Sequence, residues 1–74
     1  MRKDYFMTYT DSEEFEYEDC DVHINGRHPK SDDEAVYMAN EIIENHNSTV
    51  PHNLRPIRLL CVWVETEDCV IEIV

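Results

Sequence analysis

Ser31-Asp32-Asp33-Glu34-Ala35-Val36-Tyr37-Met38-Ala39-Asn40-Glu41-Ile42-Ile43 is the stretch that decides the fold. Ser31 is a good N-cap, and Glu34 three residues later gives the pattern of a capping box. Asp32, Asp33 and Glu34 put negative charge in the first turn, where the helix dipole favours it. Ala35, Met38, Ala39, Ile42 and Ile43 recur at three- and four-residue spacing and form one apolar stripe that has to face another layer. Tyr37, Asn40, Glu41 and Glu44 take the water side. The helix signal fades at Asn45-His46-Asn47, and Pro51 stands beyond it.

The flanks read as strands, which supply that layer. Asp4 to Thr10 is rich in β-favouring residues, with Tyr5, Met7 and Tyr9 on one face and Phe6 on the other. Asp11-Ser12 follows as a turn. From Glu13 to about Ile24, Phe15 and Tyr17 first alternate with Glu14, Glu16 and Glu18, and the apolar positions then become Cys20, Val22 and Ile24. A continuous strand cannot turn both sets inward, because its side-chain period is two. A β-bulge or sharp bend near Glu18 to Cys20 restores the register. Asn25-Gly26, with the chain's one glycine, closes the segment as a turn, and Arg27-His28-Pro29-Lys30 is a polar loop.

Downstream of the helix, Asn47 to Arg55 reads as a polar connection. Ile57 to Val64 is the most apolar strand, with Leu59, Cys61 and Trp63 on one face and Leu60, Val62 and Val64 on the other. Apolar residues on both faces indicate a central strand covered twice, or covered once by a partner. Glu65-Thr66-Glu67-Asp68 is a turn, and Cys69 to Val74 is a last strand paired with its predecessor as a hairpin. The expected fold is therefore α+β, a small antiparallel β-sheet with one helix packed on one face, in the order β-β-α-β-β. At 74 residues, 1–74 make a single domain.

Charge narrows the partners. Seventeen Asp and Glu stand against six Lys and Arg, a formal net charge of −11. Such a surface repels nucleic acid and anionic membranes and attracts basic protein surfaces. Apolar residues at 42% can build a core, which argues against a disordered chain. Met1-Arg2-Lys3 is not followed by the apolar run of a secretory signal, and Leu59 to Val64 is too short to span a bilayer. An odd set of three cysteines, Cys20, Cys61 and Cys69, reads as reduced thiols. Together these point to the cytoplasm, where the Asn47-Ser48-Thr49 sequon carries no sugar.

Residue types for chemistry are present, but their spacing is poor. Cys20, His23 and His28 read C-x2-H-x4-H, yet no second ligand pair completes a structural zinc site. No local signature joins a cysteine to a histidine as nucleophile and base. A single glycine cannot build a phosphate-binding loop. No enzyme activity, cofactor, catalytic residue or metal ligand is expected; a small zinc protein is kept as an alternative.

The densest feature is acidic. Seven of the eleven residues from Asp11 to Asp21 are Asp11, Glu13, Glu14, Glu16, Glu18, Asp19 and Asp21. On one strand face, Glu14, Glu16 and Glu18 would repeat about every 6.8 Å. Asp32 and Asp33 at the helix start, and Glu65, Glu67 and Asp68 in the last turn, could join them in one polyanionic face. These twelve acids are the candidate partner-binding residues. The bland alternative is a solvated strand and ordinary turn acids that keep the domain dissolved. The apolar strand offers a second surface: Trp63 belongs either to the core or to an interface, and an uncovered strand face would favour a homodimer or an adaptor role.

In style, the chain resembles small acidic proteins of phages and mobile elements that inhibit a host enzyme or a defence complex, some by imitating nucleic-acid charge. Ser31-Asp32-Asp33-Glu34-Ala35 leading to Ala39 is similar to the helix of short podophage inhibitors of host RNA polymerase, and to that of HicB-type antitoxins, whose Pro-Gly-Cys segment is missing here. The resemblance implies a non-catalytic inhibitor of a basic, nucleic-acid-handling protein, acting in the host cytoplasm, and supplies no site residues.

Overall fold

The computed structural model describes residues 3–49 and 56–74. Its elements follow the order β1 (Asp4–Thr10), β2 (Glu16–Asp21), α1 (Asp32–Thr49), β3 (Arg58–Glu65) and β4 (Val70–Glu72). The four strands form one sheet in the order β2-β1-β3-β4, and every neighbouring pair is antiparallel. The expected α+β class and β-β-α-β-β order are both present.

The helix covers one face of this sheet. Ala35, Met38 and Ala39 are buried against Tyr5 and Met7 of β1, Val22, and Val62 and Val64 of β3. Ala35 and Ala39 are fully buried, and their small side chains let the helix backbone come close to the strands. Val22 and Val62 are the largest side chains fully removed from water; each such valine contributes roughly 1.5–3 kcal/mol. Ile42, Leu59, Tyr9 and Ile73 extend the cluster at its margins.

Both ends of the helix are held by specific bonds. Ser31 Oγ accepts the Glu34 N–H at 3.1 Å, as an N-cap should. The other half of the capping box does not form: the Glu34 carboxylate goes to Arg27 at 3.2 Å. At the far end the helix runs on to Thr49, past the expected fade at Asn45 to Asn47. Asn47 turns its amide out of the helix and clamps the backbone of Ile57, donating to its carbonyl at 2.9 Å and accepting its N–H at 2.8 Å. Ser48 and Thr49 donate back to the carbonyls of Glu44 and His46. Polar residues that read as a loop thus satisfy backbone groups locally and allow another helical turn. The rest of the expected polar connection, 50–55, with Pro51, lies outside the described residues.

The register is interrupted twice, at the same level of β1. Met7 pairs with Cys20 and Tyr9 with Tyr17, so three steps on β2 match two on β1. This is the bulge expected near Glu18 to Cys20, and Asp19 sits in the left-handed region with φ 57°. On the other side, Thr8 pairs with Cys61 but Tyr9 with Leu59, so Leu60 is an extra residue on β3. That second bulge corrects the face assignment of the apolar strand. Leu59, Val62 and Val64 face the helix, Cys61 and Trp63 face away, and Leu60 is exposed.

The second strand is also shorter than expected, beginning at Glu16 and ending at Asp21. Val22 is hydrogen-bonded to Tyr5, and Ile24 pairs with Arg27 around Asn25-Gly26. Asn25 (φ 51°) and Gly26 (φ 81°) are both left-handed, as a two-residue hairpin turn requires.

Candidate protein-binding surface

Eleven of the twelve candidate acids are exposed; the twelfth, Asp11, is buried. Asp11 Oδ1 accepts the N–H groups of Glu13 at 2.9 Å and Phe15 at 3.1 Å, and its Oδ2 accepts the Tyr17 hydroxyl at 3.2 Å. Its own N–H and carbonyl close the loop with Phe15 and Glu14. This carboxylate builds the β1–β2 connection. The same loop puts Glu14 at φ 64°, outside the strand. Glu14, Glu16 and Glu18 therefore do not form the expected evenly spaced row: a turn separates the first from the strand, and a bulge displaces the third.

The exposed acids fall into distinct zones. Glu13 and Glu14 lie in the turn at the Thr10 end of the sheet, beside Glu16, which pairs with Thr10. Glu18 and Asp19 occupy the bulge of β2, an edge strand. Asp21 lies at the opposite end of that strand, paired with Phe6. The helix start belongs to this end as well, since the Tyr5 hydroxyl donates to Asp32 Oδ1 at 2.8 Å. Glu65 pairs with Asp4 there, and the β3–β4 turn carries Glu67 and Asp68 beyond it. Two of the three sequence clusters, the helix start and the last turn, thus lie at the same end of the sheet as Asp21. The remaining acids follow the β2 edge to the other end. They make a rim, and not a single face.

The turn from Thr66 to Cys69 is tightly bonded. Thr66 Oγ1 accepts the N–H groups of Asp68 at 3.3 Å and Cys69 at 3.2 Å, which fixes where Glu67 and Asp68 project.

Sequence reasoning left the sheet face opposite the helix undecided. That face carries Phe6 and Trp63, half-buried and stacked with centroids 5.7 Å apart at 25°. Among the described residues, no helix or second sheet packs on it. The parity of β1 already placed Phe6 away from Tyr5 and Met7; the signal missed was that Trp63 has the same orientation. A depression of about 280 Å³ opens beside Phe6 and Asp21, lined also by Lys3, His28 and Pro29.

A second aromatic group lies near the opposite end of β2. Tyr9 and Tyr17 stack at 4.9 Å, with Phe15 tilted against Tyr17 at 5.0 Å. Phe15 and Tyr17, whose alternation with the glutamates reads as the inward face of a strand, are exposed, because the strand starts only at Glu16 and its first residues run past the buried cluster.

For other chemistry the arrangement is sparse. The His23 and His28 rings approach to 5.7 Å, but no three His, Cys, Asp or Glu side chains converge on a metal position among the described residues. Burial pushes the Cys20 thiol up, with Asp19 and Asp21 adding to the shift against the lowering bond to Tyr9. A thiol held protonated in this way is a poor nucleophile. No helix among the described residues is long and apolar enough to cross a membrane. No protein-family model, curated protein or solved structure matches the chain.

Proposed function

We propose that this protein works by binding, without catalysis, to a protein with a basic surface of the kind that otherwise holds nucleic acid, and that it inhibits that partner by occupying the surface. One observation carries the reading: a net charge of −11 in 74 residues, with eleven candidate acids exposed along the β2 edge and at both ends of the sheet. Self-repulsion of that size opposes folding, so the charge is more costly than simple dispersal in water requires. Lys and Arg that hold phosphate would meet carboxylates along this rim, and anionic partners would be turned away. The resemblance to small acidic phage and mobile-element inhibitors supports the same reading, with a host or defence complex as the proposed target.

The test is capture from a bacterial lysate on tagged protein at low and moderate salt, with identification of the eluted proteins. A nucleic-acid-binding protein is expected, retained at low salt and lost as salt rises. A variant with Glu16→Lys, Glu18→Lys and Asp19→Lys should lose it. Retention of the same partner by that variant, or capture unaffected by salt, contradicts the reading.

A further inference from the structure

The strand register brings four residues into one line across the whole sheet. Phe6 of β1 pairs with Asp21 of β2 on one side and with Trp63 of β3 on the other, and Trp63 pairs with Glu72 of β4. Directly paired residues of a sheet project to the same face. The row Asp21–Phe6–Trp63–Glu72 therefore stands on the face away from the helix, two stacked rings between two carboxylates. Strands are spaced about 4.8 Å apart, so the backbones of the outer pair are separated by about 14 Å across the sheet. Neither the Asp21 nor the Glu72 side chain has a hydrogen bond or ion pair among the described residues, and both are exposed. Two positions along β3 from Trp63, Glu65 adds another carboxylate to the same face.

We propose that this row is a docking platform for arginine side chains of a basic protein partner, one guanidinium over each ring and its neighbouring carboxylate. The proposal rests on the binding function proposed above and assigns its centre to the Phe6–Trp63 pair, with Asp21 and Glu65 shared with the acidic rim. Three properties select the occupant. An aromatic face attracts a cation through its quadrupole. A carboxylate one strand away accepts the planar guanidinium fork, which a lysine ammonium cannot match in shape. A half-buried apolar centre ringed by polar groups is the layout in which a few aromatic residues dominate an interface. A second copy of the chain fits less well. A two-fold contact through this face would bring Asp21, Glu72 and Glu65 towards their own copies, so like charge would oppose like. Anionic lipid and nucleic acid are repelled for the same reason.

Trp63 is the chain's single tryptophan, so its fluorescence reads this platform directly. The probes are a short peptide with four arginines spaced by glycine and serine, and its lysine counterpart of equal charge. Titrating the arginine peptide should change Trp63 emission to saturation, and the lysine peptide should bind several-fold more weakly. The doubly neutral variant Asp21→Asn, Glu72→Gln keeps the fluorophore and should weaken the arginine peptide about ten-fold. By calorimetry, Trp63→Ala should weaken it comparably, while Trp63→Phe should restore most of the affinity. Circular dichroism checks that each variant is folded, and the exposed Asp21 and Glu72 pair covers the case in which Trp63→Ala is not. Equal affinity for both peptides, indifference to these substitutions, or no change in emission overturns the platform. Such results leave the acidic-rim reading to be judged by its own capture experiment. A dimer seen by light scattering that Trp63→Phe preserves and Trp63→Ala disperses assigns the face to a second copy and also overturns the proposal.

Discussion

Single residues show how the surplus of acid is accommodated. Asp11 accepts bonds from two backbone N–H groups and a tyrosine hydroxyl, and Asp32 accepts one from Tyr5. Tyr5 has the clearer consequence. Its phenol is pushed up from 10.0 to about 12, first by burial, then by the bond to Asp32 and the charge of that carboxylate. The folded state therefore holds this proton more tightly than the unfolded chain. The stabilisation is complete below about pH 10 and is lost as pH rises from 10 towards 12. Tyr5→Phe removes both the bond and the titration. In urea unfolding, the wild-type advantage over Tyr5→Phe should hold constant from pH 7 to 9 and shrink above pH 10. An advantage that stays constant through pH 11.5 would mean that the phenol does not titrate against Asp32.

The elements differ in how far they could be read beforehand. β1 and the helix start were legible because period and capping agree: Tyr5 and Met7 are buried on one side of Phe6, and Ser31 caps where expected. The β2 bulge was legible because the parity of Phe15 and Tyr17 conflicts with that of Cys20 and Val22. The bulge at Leu60 left no such mark, since Leu59, Leu60, Cys61 and Val62 are all apolar and either face assignment looks acceptable. The acidic residues were legible as a cluster but not as a surface, because their placement depends on a turn built by the Asp11 carboxylate. The helix C-terminus was hidden for a related reason. Asn47 reads as a helix stop, yet its amide spends both polar atoms on Ile57, ten residues away. Removing that clamp should detach the helix end from the start of β3. Asn47→Ala is expected to cost about 1–3 kcal/mol, the usual loss when part-buried backbone partners go unmet. Chemical denaturation measures it, and hydrogen exchange should show faster opening at Ile57. A loss below about 0.5 kcal/mol would place the helix terminus under other control.

For the whole molecule, the rim and the platform make one argument about charge. Eleven uncompensated negative charges on a 74-residue chain repel one another in the folded state and relax when it unfolds. The screening length falls from about 30 Å at 0.01 M salt to about 3 Å at 1 M, so salt removes this repulsion. The partner binding proposed above would draw on the same charges with the opposite sign, since a basic surface is attracted by what salt screens. Adding sodium chloride should therefore stabilise the fold while it weakens the complex. Each kcal/mol recovered raises the melting temperature of a domain this size by about 4–8 °C, and a rise of that order is expected between 0.01 and 0.5 M. The Glu16→Lys, Glu18→Lys, Asp19→Lys variant, whose negative charge is reduced by six units, should melt higher than wild type at low salt and converge with it at high salt. A melting temperature that does not move with salt would show that the acids are already compensated within the fold. The charge would then carry no cost in stability, and the proposed binding function would lose its main support.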